Sequence, residues 1–295
     1  MEEKARDQAQ TDGENLEGAR LLIRRIISRN RMAVPCIIIL AVIFSMAVFA
    51  PWLTPYDPYE QDLMKRLDRP SLEHWMGNDD LGRDIATRIV YGARSSLLVG
   101  FSGALLGTLF GIVIGLTSGY VGGRVDHWLM RLVDIMMSFP GVLLAILVVS
   151  ILGPGLNNLI IALAIWNTPG FARIVRGNVL SIKEQEYVEA SRAVGSKQLR
   201  TMFRHVLPNT ISPIIVHATL SVAGALLTAA GLSFLGLGVQ PPAAEWGAMI
   251  GAARRFIRDA PHVMMFPGLA IFITVLAINF VGDALRDALD PRLTQ

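Results

Sequence analysis

Three observations predict that this 295-residue chain is an all-α, polytopic membrane protein with about six transmembrane helices. It is 52% apolar and only 17% charged, with mean hydropathy +0.46, whereas soluble domains carry about a quarter charged residues. Its apolar residues gather into runs close to the ~20 residues that cross a bilayer. One run also carries glycine at every fourth position, a spacing that lets helix backbones approach in lipid. This composition excludes an ordinary soluble enzyme and a disordered chain. The net charge of +3 is small, so nucleic acid is not implied. The single cysteine, Cys36, forms neither an internal disulfide nor a multi-cysteine zinc site.

Residues 1–31 are polar and mixed in charge, then rich in arginine, and read as a tail. The first span covers residues 32–53. Its apolar run lies too far from Met1 for a cleaved signal peptide. Pro51, Pro55, Tyr56, Asp57 and Pro58 break the helix behind it, opening an external loop over residues 54–94. Within that loop Asp79, Asp80 and Asp84 lack the alternating oxygens and twelfth-position glutamate of a calcium loop, so a solvated loop is expected. Arg83, Arg88 and Arg94 lie just ahead of the next span on the outer side, and part of that stretch reads as an interfacial helix. Further apolar runs occupy Leu97 to Leu116, Val133 to Leu152, Leu156 to Phe171, Ile211 to Leu237 and Val263 to Val281. The fourth is short and interrupted by Asn157, Asn158, Asn167 and Pro169. Lys and Arg are concentrated in the tail and the fourth connection, which by the positive-inside rule places that connection and both termini in the cytoplasm. Trp52, Tyr56, Tyr59, Tyr120 and Trp128 fall where amphipathic rings favour the headgroup region. Residues 95–282 thus form a transmembrane core, followed by a cytoplasmic C-terminal tail over 283–295.

Gly103, Gly107, Gly111, Gly115 and Gly119 form one slowly winding stripe on the second span. A packing seam is the simpler reading and outweighs a moving gate. The fourth connection, residues 181–208, is written as helix, glycine, helix, proline. Ser181 and Glu184 spell a capping box for a helix from Ile182 to Val194. Gly195 supplies the left-handed residue that ends it, Ser196 can cap a second helix, and Pro208 stops that one. By pattern alone the element fits an amphipathic pair on the membrane surface and a docking element for a soluble partner equally well. His217 and Asn279 are polar groups at membrane depth and candidates for lining a pathway, although a neighbouring helix could equally satisfy them. The five histidines show no paired metal-ligand spacing, so no metal site is expected. A phosphate-binding Gly-x-x-x-x-Gly-Lys-Ser/Thr loop is absent, as are hydrolase motifs.

Glu189, Ala190 and Ser191, then Gly195, then Leu207 and Pro208, resemble the EAA motif of bacterial ATP-binding-cassette (ABC) importer permeases. Ser191 and His205 depart from its commonest residues, and neither change is disruptive. The likeness continues through His74-Trp75-Met76-Gly77-Asn78-Asp79-Asp80-Leu81-Gly82-Arg83-Asp84, Tyr91 to Leu97, and Met130 to Asp134 with Phe139-Pro140. It resumes from Ser233 to Pro242, in Glu245-Trp246-Gly247, and from Gly282-Asp283 through Arg292. These segments are similar to the dipeptide, oligopeptide and nickel branch, and to the second of its two paired permeases.

The resemblance implies the type I ABC importer permease fold and a transport subunit that is not itself an enzyme. Glu189, Ala190, Ser191, Gly195, Leu207 and Pro208 would then couple it to an ATPase. Its partners would be a paralogous permease, two cytoplasmic ATPase subunits carrying the ATP and Mg2+, and a periplasmic or lipid-anchored solute-binding protein. No cofactor would be held by this chain, and its place would be the bacterial inner membrane. Di- or oligopeptides are the expected cargo, with nickel or another small solute as the alternative. An ion-coupled secondary transporter, with His217 or Asp134 as a relay, is a distant alternative, because the spans hold few ionisable groups.

Overall fold

The computed structural model describes residues 32–289. The tail over residues 1–31 and the Asp290-Pro291-Arg292 end of the last motif lie outside the described residues. Helix α1 (Ala33–Leu53) is apolar on every side. Its 21 residues rise about 31 Å, one hydrocarbon thickness. Ile38, Val42 and Phe49 are exposed on its outer face. The helix stops at Thr54, which precedes Pro55 and takes extended backbone geometry.

Residues 54–84 fold into a cap rather than a solvated loop, which corrects the expectation for its acidic residues. Asp79, Arg83 and Asp84 are all buried. Burial of charge is tolerable only when each group is paired and hydrogen-bonded, and these groups are. Asp79 accepts from the Leu81 and Arg83 amides. Its other oxygen accepts from Arg83 Nε at 2.8 Å and lies 3.3 Å from Arg88 Nε. Asp84 pairs with His74 Nδ1 at 2.9 Å and accepts from the Thr87 amide at 2.7 Å, which makes it the N-cap of the next helix.

That helix, α2 (Ile85–Val121), has 37 residues, far more than the apolar run suggested. The interfacial helix expected around Arg88 and Arg94 is its first turns, continuous with the span. Arg88 Nη1 donates to the Pro58 carbonyl at 2.8 Å, tying the cap to the helix. The Gly238–His262 connection closes the same end and contains a helix that the sequence did not reveal, α9 (Trp246–Ala253). Its N-cap, Glu245, is 2% exposed. Glu245 accepts from the Gly247 and Ala248 amides and from Ser96 Oγ on α2, and Trp246 Nε1 donates to the Ile89 carbonyl at 2.9 Å.

Beyond Gly122 and Gly123, both at positive φ, the third apolar run is not one straight span. It forms α3 (Gly123–Ser138) and α4 (Gly141–Leu152), bent by 92°. Pro140 drives Phe139 into extended geometry and breaks the helix there. Next comes α5 (Leu156–Ile182), whose 27 residues exceed the interrupted fourth run because Asn167 and Pro169 are tolerated inside it. Short α6 (Glu186–Ala193) and α7 (Gln198–Thr201) lead to α8 (Leu207–Phe234), and α10 (His262–Leu289) ends the described chain. Among the described residues five helices are long and apolar enough to cross a membrane, or six if the bent pair makes one span. Helix α2 packs chiefly against α5 and α8, while α10 bridges α8, α1 and α9.

Candidate functional site

Two features meet at the end of the bundle opposite the cap: a close helix pair, and the helix–turn–helix element seated beneath it. The pair is α2 and α5. Each glycine of the α2 stripe faces the residue sixty positions on, so the helices run parallel in fixed register. Gly103 faces Leu163, Gly107 faces Asn167, Gly111 faces Phe171, Gly115 faces Val175 and Gly119 faces Val179. No side chain fits between them. A Cβ on Gly111 would stand 2.2 Å from Phe171 Cβ, and one on Gly115 would stand 2.5 Å from the Ala172 carbonyl oxygen. Dispersion and close backbone approach hold such a pair in lipid, where apolar attraction between helices is weak.

Charged side chains brace the same end. Arg176 grips Asp126 of α3 through two bonds of 2.6 Å, and Ser118 of α2 also donates to Asp126. Lys183 Nζ donates to the Gly119 carbonyl at 3.0 Å, and Arg173 pairs with Asp134 at 2.7 Å. Arg176 and Asp126 carried no motif. The one available clue was that charge on an apolar helix requires a partner. Asp134, considered above as a proton relay, is held in this ion pair.

The connection after α5 departs from the expected layout. The capping box does not start a helix, because α5 runs through Ser181 to Ile182, and Lys183–Gln185 make a turn before α6. Gly195, at φ +84°, ends α6 in a Schellman arrangement, with the Ser196 amide donating to the Ser191 carbonyl at 3.1 Å. Lys197, not Ser196, precedes α7, and no side chain caps it. Pro208 does not stop the second helix either. Residues Met202–Val206 form a π turn in which the Leu207 amide reaches back to the Met202 carbonyl, and Pro208 sits in the first turn of α8, where its missing N–H costs little.

The element has an anchored face and a free face. Val188, Met202 and Val206 are buried against Leu116, Tyr120, Val175 and Val179, the lower ends of α2 and α5. Glu189, Ala190 and Gly195 are exposed, while Ser191 is half-buried with its hydroxyl 3.4 Å from that of Thr201. Leu207 is half-buried and Pro208 exposed. The exposed face also carries Tyr187, Val194, Leu199 and Phe203, of which Val194 is 89% and Leu199 68% exposed. His217 of α8 stacks edge-on against Phe171 at 4.8 Å, one helix away from the seam. Asn279 lies half-buried on α10. Among the described residues no hydrogen bond joins these two, although their helices α8 and α10 pack together.

The order and packing of the helices are those of an ABC importer permease fold. The chain's fold matches the permease in the inward-facing structures of the MetNI methionine ABC transporter with TM-score 0.58 at 22% identity, covering 69% of this chain and 96% of that one. The sequence places it more narrowly. The family described as "Binding-protein-dependent transport system inner membrane component" matches residues 111–295, and "N-terminal TM domain of oligopeptide transport permease C" matches residues 21–70. The chain is 49% identical to the dipeptide transport system permease protein DppC of Alkalihalophilus pseudofirmus, over 90% of its own length and 88% of that protein's. It is 46% identical to the glutathione transport system permease protein GsiD of Escherichia coli O6:K15:H31, over 91% and 89%. The chain belongs to this family of transport permeases, in its dipeptide and oligopeptide branch.

Proposed function

We propose that this permease imports di- or oligopeptides as half of a translocation pathway, paired with a paralogous permease. The relatives named above, a dipeptide permease and a glutathione permease, support small peptides over nickel as cargo. Two ATPase subunits on the cytoplasmic side would hold ATP and Mg2+, and an external binding protein would deliver cargo to the cap. This chain would hold no cofactor of its own. The termini and the 181–208 element would face the cytoplasm, and His217 and Asn279 would border the pathway.

One observation carries the coupling role. The element presents Tyr187, Val194, Leu199 and Phe203 outward while its buried side, Val188, Met202 and Val206, rests on the glycine-seamed pair. An exposed apolar face on a charged element fits a cleft in a soluble partner, and its anchors would pass a push into α2 and α5. The test is Leu199→Asp with Phe203→Asp in the reconstituted transporter. Interface anchors of this kind carry about 2 kcal/mol or more, so ATP-driven uptake should fall about tenfold or more. The fold should be unaffected, because both positions are exposed. Full uptake by the double variant would remove the coupling assignment.

A further inference from the structure

We infer that the cleft between α1, α2 and α10 binds one phospholipid, its acyl chain at bilayer depth and a zwitterionic headgroup at the cap. Two cavities carry the inference. The deeper, about 310 Å3, is walled by Ile38, Val42, Ile43, Ala93 and Ala270, with Trp246 at its back. Its polar groups are already satisfied inside the protein, since the Trp246 indole N–H donates to Ile89 and the Thr274 hydroxyl to Ala270. That leaves nothing to recognise except hydrocarbon. The shallower cavity, about 470 Å3, is walled by Leu53, Leu72, Trp75 and Val90, with Tyr56, Glu73 and Asp84 on its rim. Met46 and Ile89 line both cavities, so the two are stations along one cleft.

Dimensions and charge select the occupant. From Ile38 to Leu53 helix α1 rises about 22 Å, which matches one leaflet of hydrocarbon, about 15 Å, plus its interface. Trp52 and Trp75, each 78% exposed, and Leu72, 97% exposed, stand where a lipid interface would meet the cap. An apolar slot on the outer face of the bundle that opens into charge at interface depth is the shape of a lipid. Lys65 stands outside the cavity wall but 3.8 Å from Glu73, which lines it, and 3.3 Å from His74 Nε2, which leaves one of its three N–H donors for a phosphate oxygen. Glu73 is well exposed and can face an ammonium. Side by side, these charges complement phosphoethanolamine better than a purely anionic headgroup. The inference requires only that the chain spans a membrane, not the coupling role proposed above.

The test uses the full chain, in the assembly in which it is extracted, in nanodiscs of phosphatidylethanolamine and phosphatidylglycerol. A trace of phosphatidylethanolamine carrying a diazirine on its acyl chain serves as the photolabel. Adducts should concentrate on peptides from α1, α2 and α10, and Ala86→Trp with Ala270→Phe should reduce them about tenfold. Should that double variant fail to fold, Glu73→Lys, which leaves the walls intact, decides the matter. It should lower the labelling ratio of phosphatidylethanolamine to an equivalent phosphatidylglycerol probe about fivefold, the scale of one exposed charge pair. Labelling spread evenly over all exposed helices, or a headgroup ratio unchanged by Glu73→Lys, would overturn the inference. So would a cleft that cross-links to residues 1–31 or to another polypeptide instead of lipid.

Discussion

Replacing Gly111 by alanine tests the α2–α5 seam where it is tightest. The added Cβ would lie 2.2 Å from Phe171 Cβ and 3.0 Å from the Ala172 amide nitrogen. Carbon atoms rest at about 3.5–4.0 Å, so the helices must part locally by about 1.5 Å. Phe171 cannot turn away, because the clash is with the first carbon of its side chain, fixed to the backbone. Overpacking of this kind costs about 1–3 kcal/mol. Against it stands the gain of about 0.8–1 kcal/mol from replacing a helical glycine by alanine, leaving a net loss of roughly 0–2 kcal/mol. Gly177, on the same α5 helix, is exposed and a Cβ there meets nothing within 4 Å, so Gly177→Ala should show the gain alone. Unfolding in mixed micelles titrated with SDS should therefore separate the two variants by about 1–3 kcal/mol, with Gly111→Ala the less stable. Gly119→Ala should cost less than Gly111→Ala, because its nearest obstacle is a Val179 methyl at 2.9 Å. Equal stability for Gly111→Ala and Gly177→Ala would refute the seam as a packing constraint.

The Arg176–Asp126 pair predicts a charge-swap rescue. Asp126→Arg or Arg176→Asp alone should lower the melting temperature, at a cost of about 1–2 kcal/mol for a part-exposed bidentate pair, and the double swap should recover part of it. No recovery would assign the loss to packing rather than charge. Ser96→Ala at the cap removes both a donor to Glu245 and an acceptor for the Trp246 amide. The buried carboxylate keeps two amide partners, so a loss of about 1–2 kcal/mol in the same unfolding assay is expected, with hydrogen exchange faster in α9.

What the sequence made legible was what depends on period and composition. The spanning helices follow from runs of apolar residues, and the five-glycine stripe from a strict spacing of four. Gly195 was readable because a left-handed residue after a helix has few alternatives to glycine. The failures were of a different kind. The capping box at Ser181 and the stop at Pro208 are correct local signals overridden by their context. At Ser181 the helix was already under way, so no free amides remained to cap. At Pro208 a π turn absorbed the missing donor. The buried cap and the charged brace at the opposite end were illegible because their stability comes from pairings that local pattern does not encode. Ser96 meets Glu245 across 149 residues and Arg176 meets Asp126 across 50, and the aspartates around Arg83 look the same in sequence whether solvated or buried.

These contacts determine which parts of the molecule must move together. Helix α2 is a single rod about 55 Å long, by its 37 residues. At one end the cap grips it through Arg88 on the Pro58 carbonyl, Trp246 on the Ile89 carbonyl and Ser96 on Glu245. Along its middle the glycine seam leaves no slack against α5, and at the other end Lys183 and the Val188, Met202 and Val206 anchors hold it. Packed interiors transmit displacement because they compress little. A push on α6 therefore cannot be taken up between α2 and α5, and must carry the cap with it. Bending is cheaper in the helices with an internal proline, which lack a backbone hydrogen bond at that point. Pro213 in α8 and Pro267 in α10 supply such points; α5 has one too, Pro169, but Asn167 and Phe171 on either side of it are clamped against Gly107 and Gly111. The mechanical division thus falls between the α2–α5 body, with its cap and the element that Val188, Met202 and Val206 anchor to it, and the pair α8 and α10 that borders it, whose prolines lie outside the seam.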